Sequence, residues 1–302
     1  MPNTLAHIGL QTPLTRLGLR KAPLQWIALG CIIPDIPWIA QRILLNIPAI
    51  DVIGLRIYVA IQASLLYCLV LSLALAMLSR KSREIFLILA INSLFHLLLD
   101  GAQTKWGNGV NLFIPFSWPL SNFGLFWPEH PVTYVLTFLG LLTLLLLWPK
   151  AIQTPLQLAW PSRVKTVLLA LSLLIYLASP PLLFPLAYEA DIHHSQTLRS
   201  RQSRPGKTIE LDRAEYNLEK QNIRAYTGEE FTLSNPPKGA NASSISIRGR
   251  FLSEEMIELK EFRLHKKYRD KAAVVGLLLT ALLWMHSLIR QRHPEPTDKN
   301  KQ

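Results

Sequence analysis

Over most of this chain hydrophobic residues do not alternate with polar ones; they run in long blocks parted by short polar connections. A helix that crosses the hydrocarbon core of a bilayer, about 30 Å thick, needs about 20 largely apolar residues. Segments 57–79, 131–148, 166–187 and 272–289 satisfy this, and each predicts a spanning helix. Segment 85–100 is shorter and closes on His96 and Asp100, while 24–46 is interrupted by Pro34-Asp35-Ile36-Pro37. Segment 4–20 carries His7, Gln11, Pro13 and Arg16, and predicts a helix only partly inserted.

Between residues 188 and 271 the period changes to two. Lys207–Asp212, Ile223–Tyr226, Glu230–Leu233, Ser244–Arg248 and Met256–Lys260 alternate apolar and polar positions between Gly and Asn-Pro-Pro signals. Five short strands in so little chain predict a small barrel, read as OB-like. The expected fold is a polytopic α-helical membrane protein of about six to seven helices, with a small mostly-β domain inserted before the last helix. Residues 1–187 then form the helical membrane domain, 188–271 the β domain, 272–290 the final spanning helix and 291–302 a polar cytoplasmic tail.

Charge sets the orientation. Half of the residues are hydrophobic and the formal charge is +12, but the basic residues sit in small clusters at the ends of apolar blocks, not on one face. This excludes a nucleic-acid surface and fits the positive-inside pattern of a membrane protein. Placing Arg16-Arg20-Lys21, Arg80-Lys81-Arg83, Lys150-Arg163-Lys165 and Arg290-Arg292 in the cytoplasm sends the 101–130 loop and the β domain to the other side of an inner (plasma) membrane. Cys31 and Cys68 lie inside apolar blocks, so neither a disulfide framework nor a cysteine zinc site is expected.

Ionisable residues at membrane depth are costly and default to a functional reading. His96 and Asp100 are four residues apart, which on a helix places both on one face at a spacing suited to a shared metal ion. His7 and Asp35 each lie about fourteen residues from the basic turn at Arg20-Lys21, and a helical hairpin lifts both by roughly 20 Å. Arg83 stands about as far below His96, so three segments deliver polar groups to one level. Two imidazoles and two carboxylates suit zinc, with manganese or iron as alternatives, and such an ion supports hydrolysis of an ester or phosphoester. Asp35 and Asp100 are the candidate general bases, and both also count, with His7 and His96, among the candidate ligands. The competing reading of His96 and Asp100 is a helix-to-helix hydrogen bond that fastens the bundle.

These residues, an N-terminal His7, the Pro34-Asp35 pair and His96-x-x-x-Asp100 followed by a loop containing Gly and Pro, resemble the bacterial YdjM-type family of membrane-bound metal-dependent hydrolases. The resemblance covers about residues 1–150 and implies an inner-membrane hydrolase, some family members being described as LexA-binding. Where the family carries a further acidic or histidine residue after the Pro-Asp pair, this chain has Ile36-Pro37-Trp38, which argues against a two-metal site.

The loop after Asp100 holds Trp106, Phe113, Phe116, Trp118, Phe123, Phe126 and Trp127 with Lys105 and Glu129-His130. It reads as an interfacial aromatic belt or as a lid admitting lipid tails. The expected partners are membrane lipids, with a lipid or lipid-linked ester or phosphoester as substrate. In the alternative reading the chain is a non-enzymatic envelope protein whose β domain binds a protein or glycan. His193-His194 is expected in an exposed juncture, and Arg199, Arg201, Arg204 and Lys207 in a solvated basic linker.

Overall fold

The computed structural model describes residues 3–237, 244–265 and 268–292, so the polar tail from residue 293 lies outside the described residues. Eleven α-helices are described: α1 (Thr4–Gly18), α2 (Leu24–Gly30), α3 (Ile36–Leu44), α4 (Val52–Gln62), α5 (Leu65–Ala76), α6 (Ser82–Ala102), α7 (Pro131–Gln153), α8 (Arg163–Ala178), α9 (Phe184–Glu189), α10 (Ser195–Arg199) and α11 (Tyr268–Arg292). Four stretches, Leu24–Leu44, Ser82–Ala102, Pro131–Gln153 and Lys271–Gln291, are long and apolar enough to cross a membrane, and two bent pairs raise the number to six if each is one span.

The bends fall at short joints between helices. The expected 57–79 span is not one helix: α4 and α5 meet at 69° across Ala63-Ser64, where Ser64 is extended and starts α5. The 166–187 span bends by 43° at Ser179-Pro180-Pro181, since proline cannot continue the backbone ladder. Within 24–46, Ile33–Asp35 form a 3-10 turn between α2 and α3, with Pro37 in the first turn of α3, a position that needs no backbone donor.

Helix α1 is built into the bundle through small residues. An added Cβ at Gly140 on α7 would lie 1.8 Å from Leu5 O, and one at Gly9 would lie 2.3 Å from Leu136 O. Only glycine allows the backbones so close. On the far side Gly276 of α11 meets Thr4 and Leu5 in the same manner. Asn3 caps α1 by accepting from Ala6 N at 3.0 Å. The buried face that results carries His7, Gln11 and Thr15, all nearly free of solvent.

The five expected strands are all present: β1 (Thr208–Asn217), β2 (Asn222–Arg224), β3 (Glu230–Leu233), β4 (Ser244–Phe251) and β5 (Met256–Leu264). They close into a barrel in the order β1-β2-β3-β5-β4, with β3 and β5 parallel and the other pairs antiparallel. Ile209 and Leu211 point inward, then a bulge between Leu211 and Ala214 shifts the phase so that Ala214 and Tyr216 are the next inward pair. Phe231 and Phe251 meet edge to face in the core at 5.4 Å. Arg204, expected in a solvated linker, is instead fully buried and grips Glu229 with two nitrogens at 3.0 and 2.7 Å while donating to Thr197 O, Leu198 O and Glu254 O. A buried guanidinium needs this many acceptors to offset its lost hydration.

The loop between α6 and α7 ties bundle to barrel. Gly107 N donates to Glu210 at 2.6 Å and Asn108 to Asp212 at 3.1 Å. Glu129 accepts from Arg213 at 2.5 Å and from His265 Nδ1 at 2.9 Å. The loop aromatics divide: Trp106 and Trp127 lie under Arg248 and Arg263 of the barrel, whereas Phe116 is 86 % and Phe123 53 % exposed.

Candidate metal centre

Three elements bring the candidate ligands together. Helix α6 presents His96 and Asp100 one turn apart, α1 brings His7, and the 3-10 turn brings Asp35. The rings of His7 and His96 stack in parallel, 3.7 Å apart and tilted by 3°. His7 Nε2 lies 3.5 Å from Asp100 Oδ1; His96 Nε2 lies 3.7 Å from Asp100 Oδ2 and 3.6 Å from Asp35 Oδ1. His7, His96 and Asp100 form a buried group that could hold a metal ion, their ligand atoms all within 4.8 Å of one another.

Hydrogen bonds on the outer sides of the rings fix which nitrogen faces inward. His96 Nδ1 stands 2.6 Å from Cys31 O. A carbonyl oxygen only accepts, so Nδ1 carries a proton, and in the neutral ring Nε2 presents a lone pair to the centre. The Gln11 amide, oriented to satisfy its neighbours, accepts from His7 Nδ1 at 3.0 Å and donates to Asn92 Oδ1 at 3.1 Å. His7 therefore has the same tautomer. Orienting contacts of this kind are what imidazole ligands of metals characteristically carry.

The centre is polar and unsatisfied. His7 Nε2, His96 Nε2, Asp35 Oδ1 and Asp100 Oδ1 are all buried and have no hydrogen-bond partner among the described residues. The distances among them are too long for hydrogen bonds, which close at about 2.7–3.2 Å. They match the edge of a ligand tetrahedron: donors about 2.0–2.1 Å from an ion stand about 3.4 Å apart. A divalent cation among His7, His96 and Asp100 would answer their inward lone pairs at once, and these three residues fit the group on these grounds. The competing reading, a bond that fastens helices, calls for separations shorter than the 3.5–3.7 Å found here.

Lys105 enters the site from the loop after α6, almost completely buried, with Nζ 3.4 Å from Asp100 Oδ2. Its place in the chain, five residues past Asp100 and beyond the helix end, carries no periodic signal, so its role was not legible. Gln11 could have been found, being four residues after His7 on the same helical face.

Asp100 and Lys105 line a cavity of about 450 Å³ between the bundle and the barrel. Trp38 and Arg42 of α3, Leu45 just past its end and Arg56 of α4 line it on one side, Arg213 and Tyr226 on the other. His193 lines it too and is buried, not exposed as the sequence suggested, because its Nδ1 donates to Gly107 O at 3.1 Å. His194 Nε2 accepts from Glu210 N at 3.1 Å. Both histidines have positive φ, 51° and 57°, a conformation that costs energy and is held here by those two contacts. Burial, followed by the nearby Arg56 charge, lowers the His193 pKa from 6.5 to about 3, so its ring is neutral.

A second constellation has the outline of a catalytic triad. Ser246 Oγ lies 2.7 Å from His265 Nε2, and His265 Nδ1 lies 2.9 Å from Glu129. Ser246 is wholly buried and its hydroxyl is shared with Asp212 at 2.9 Å and with Arg213 N–H at 3.0 Å. A nucleophile must reach its substrate, so this chain of bonds is a latch between loop and barrel. No family model, curated protein or solved structure matches this chain.

Proposed function

We propose that the chain is a multi-pass inner-membrane, metal-dependent hydrolase that cleaves a lipid or lipid-linked ester or phosphoester near the outer leaflet. The observation that carries this reading is the convergence of four buried, unpartnered donor atoms from three elements beside a cavity of substrate size. His7, His96 and Asp100 would hold the ion, with Asp35 as fourth ligand. A divalent ion in this donor set, zinc in first place and manganese or iron as alternatives, supplies Lewis acidity for cleavage by water. Where it does not ligate the ion, Asp35, the least buried of the four, would take a proton from attacking water, with Asp100 as the other candidate base. Lys105 offsets negative charge that develops on the substrate oxygen.

The membrane setting is supported by an inverted distribution of polarity. Phe138, Leu145, Leu146, Leu174 and Leu278 face outward, while His7, Gln11, Gln25, Asn92 and His96 are buried. Water would penalise that arrangement and a lipid solvent favours it. The two basic connections also meet at one end: Arg80 N donates to Gln157 O at 2.8 Å and Lys165 to Ser79 O at 2.8 Å. Helix α6 starts there and ends at the loop that touches the barrel, which agrees with a cytoplasmic basic end and an extracytoplasmic barrel. The barrel's strand order and its one parallel pair support the OB-like reading.

The test is turnover of lipid ester and phosphoester panels by the detergent-purified protein with added zinc or manganese, alongside a lipid comparison of cells with and without the chain. The reading expects one substrate class to accumulate in the deletion and to be cleaved in vitro, with Asp35→Asn lowering turnover at least a hundredfold. No accumulation and no cleavage with either ion would favour the envelope-protein reading.

A further inference from the structure

The cavity beside the metal centre contains hydrogen-bond donors that nothing among the described residues accepts. The Nε atoms of Arg56 and Arg213 are buried and without a partner, and both residues line the same cavity. Arg56 is clamped between the rings of Trp38 and Tyr226, 4.9 and 4.8 Å from their centroids, and donates from Nη2 to Asn108 at 3.0 Å. It makes no salt bridge among the described residues. Arg42, exposed at the rim, makes none either. The acidic groups that share the lining are already engaged: Asp100 by Lys105, Glu210 by Arg248 and Gly107, Asp212 by Asn108 and Ser246, Glu215 by Arg224.

A guanidinium held rigid by two aromatic rings, with its Nε–H kept dry and unused, is arranged for an acceptor that brings charge. Buried donors are nearly always satisfied, so these point to a ligand. A neutral carboxylic ester offers only weak acceptors and no charge. A phosphate group offers several charged oxygens matched to the guanidinium fork. Trp38, Leu45 and Leu97 supply apolar wall in the same cavity, so the ligand has an apolar part beside its anionic one.

We infer that this cavity binds the phosphate group of an amphiphilic phosphoester, with Arg56 and Arg42 as its anchors and Lys105 guiding it toward the metal centre. This names the substrate class for the hydrolase reading above and rests on it for the reaction, though not for binding.

The experiment is calorimetric titration of the detergent-purified full chain with three probes: dihexanoyl phosphatidic acid, dihexanoylglycerol, which lacks the phosphate, and inorganic phosphate. Phosphatidic acid should bind at least tenfold more tightly than either of the others. Arg42→Gln, an exposed position that leaves folding intact, and Arg56→Gln should each weaken it about tenfold or more, the worth of one charge-assisted contact. Metal content is measured on every sample. Arginine-dependent binding to a protein that holds no metal upholds the anion site and sinks the hydrolase reading. Equal binding of phosphatidic acid and dihexanoylglycerol, or unchanged binding in Arg42→Gln and Arg56→Gln, overturns the inference. Inorganic phosphate binding as tightly as phosphatidic acid overturns the amphiphile in favour of free phosphate.

Discussion

A methyl group added at Gly140 has no room. Its Cβ would stand 1.8 Å from Leu5 O, and real Cβ contacts essentially never fall under 3.0 Å, so α1 must retreat by about 1.2 Å or more. Leu5 is two residues from His7 on the same helix, and a helix moves as a body. His7 Nε2, now 3.5 Å from Asp100 Oδ1, would leave the reach of an ion that tolerates about 0.2 Å in its ligand distances. Gly140→Ala should therefore weaken metal binding by tenfold to a hundredfold, and overpacking should cost about 1–3 kcal/mol of stability. Competition with a chromogenic chelator and a thermal melt read the two effects separately. Gly18→Ala is the control: it lies on the same helix with nothing within 4 Å of the added carbon and should change neither. A Gly140→Ala protein that melts earlier yet binds metal as tightly as wild type would refute the argument that the glycine contact positions His7.

Three further outcomes follow from the same geometry. Gln11→Leu removes the acceptor that fixes the His7 tautomer and should reduce metal affinity about tenfold to a hundredfold in the chelator assay, with little change in helix content by circular dichroism. Burial alone would raise the Glu129 pKa, but the His265 hydrogen bond and the Arg213 charge outweigh it and hold it below the usual 4.5. Its stabilising contribution is thus present above pH 4.5 and lost below it; Glu129→Gln should cost about 1–3 kcal/mol and speed proteolysis of the 103–130 loop at neutral pH. His193 stays neutral in the fold down to about pH 3, whereas the unfolded chain takes up a proton near 6.5. Between those values stability should fall by about 1.4 kcal/mol per pH unit on acidification, and melts from pH 7 to pH 5 should show a shallower slope for His193→Gln.

The two periodicities explain what was legible. Period-two alternation located all five strands, because a barrel strand must bury every second side chain; the bulge at Arg213 breaks that period and extends β1 past the expected Asp212. Long apolar blocks located the helices but not their bends. The block from Ile57 to Leu78 contains no proline, and the break at Ala63-Ser64 depends on tertiary packing, which composition does not record. Helical spacing paired His96 with Asp100, and counting residues from the basic turns brought His7 and Asp35 to the same level as that pair. Lys105, Arg56 and His193 join the site from a loop, another helix and a strained turn, and nothing in their local sequence aims them at a cavity that exists only once the barrel has docked.

Metal content decides the central claim. Inductively coupled plasma analysis of the purified wild-type chain should find about one zinc, manganese or iron ion per chain, and a His96→Ala, Asp100→Ala double variant of unchanged helix content should have lost it. Wild-type protein that binds no ion when each is supplied in excess, or a double variant that retains it, would contradict the account.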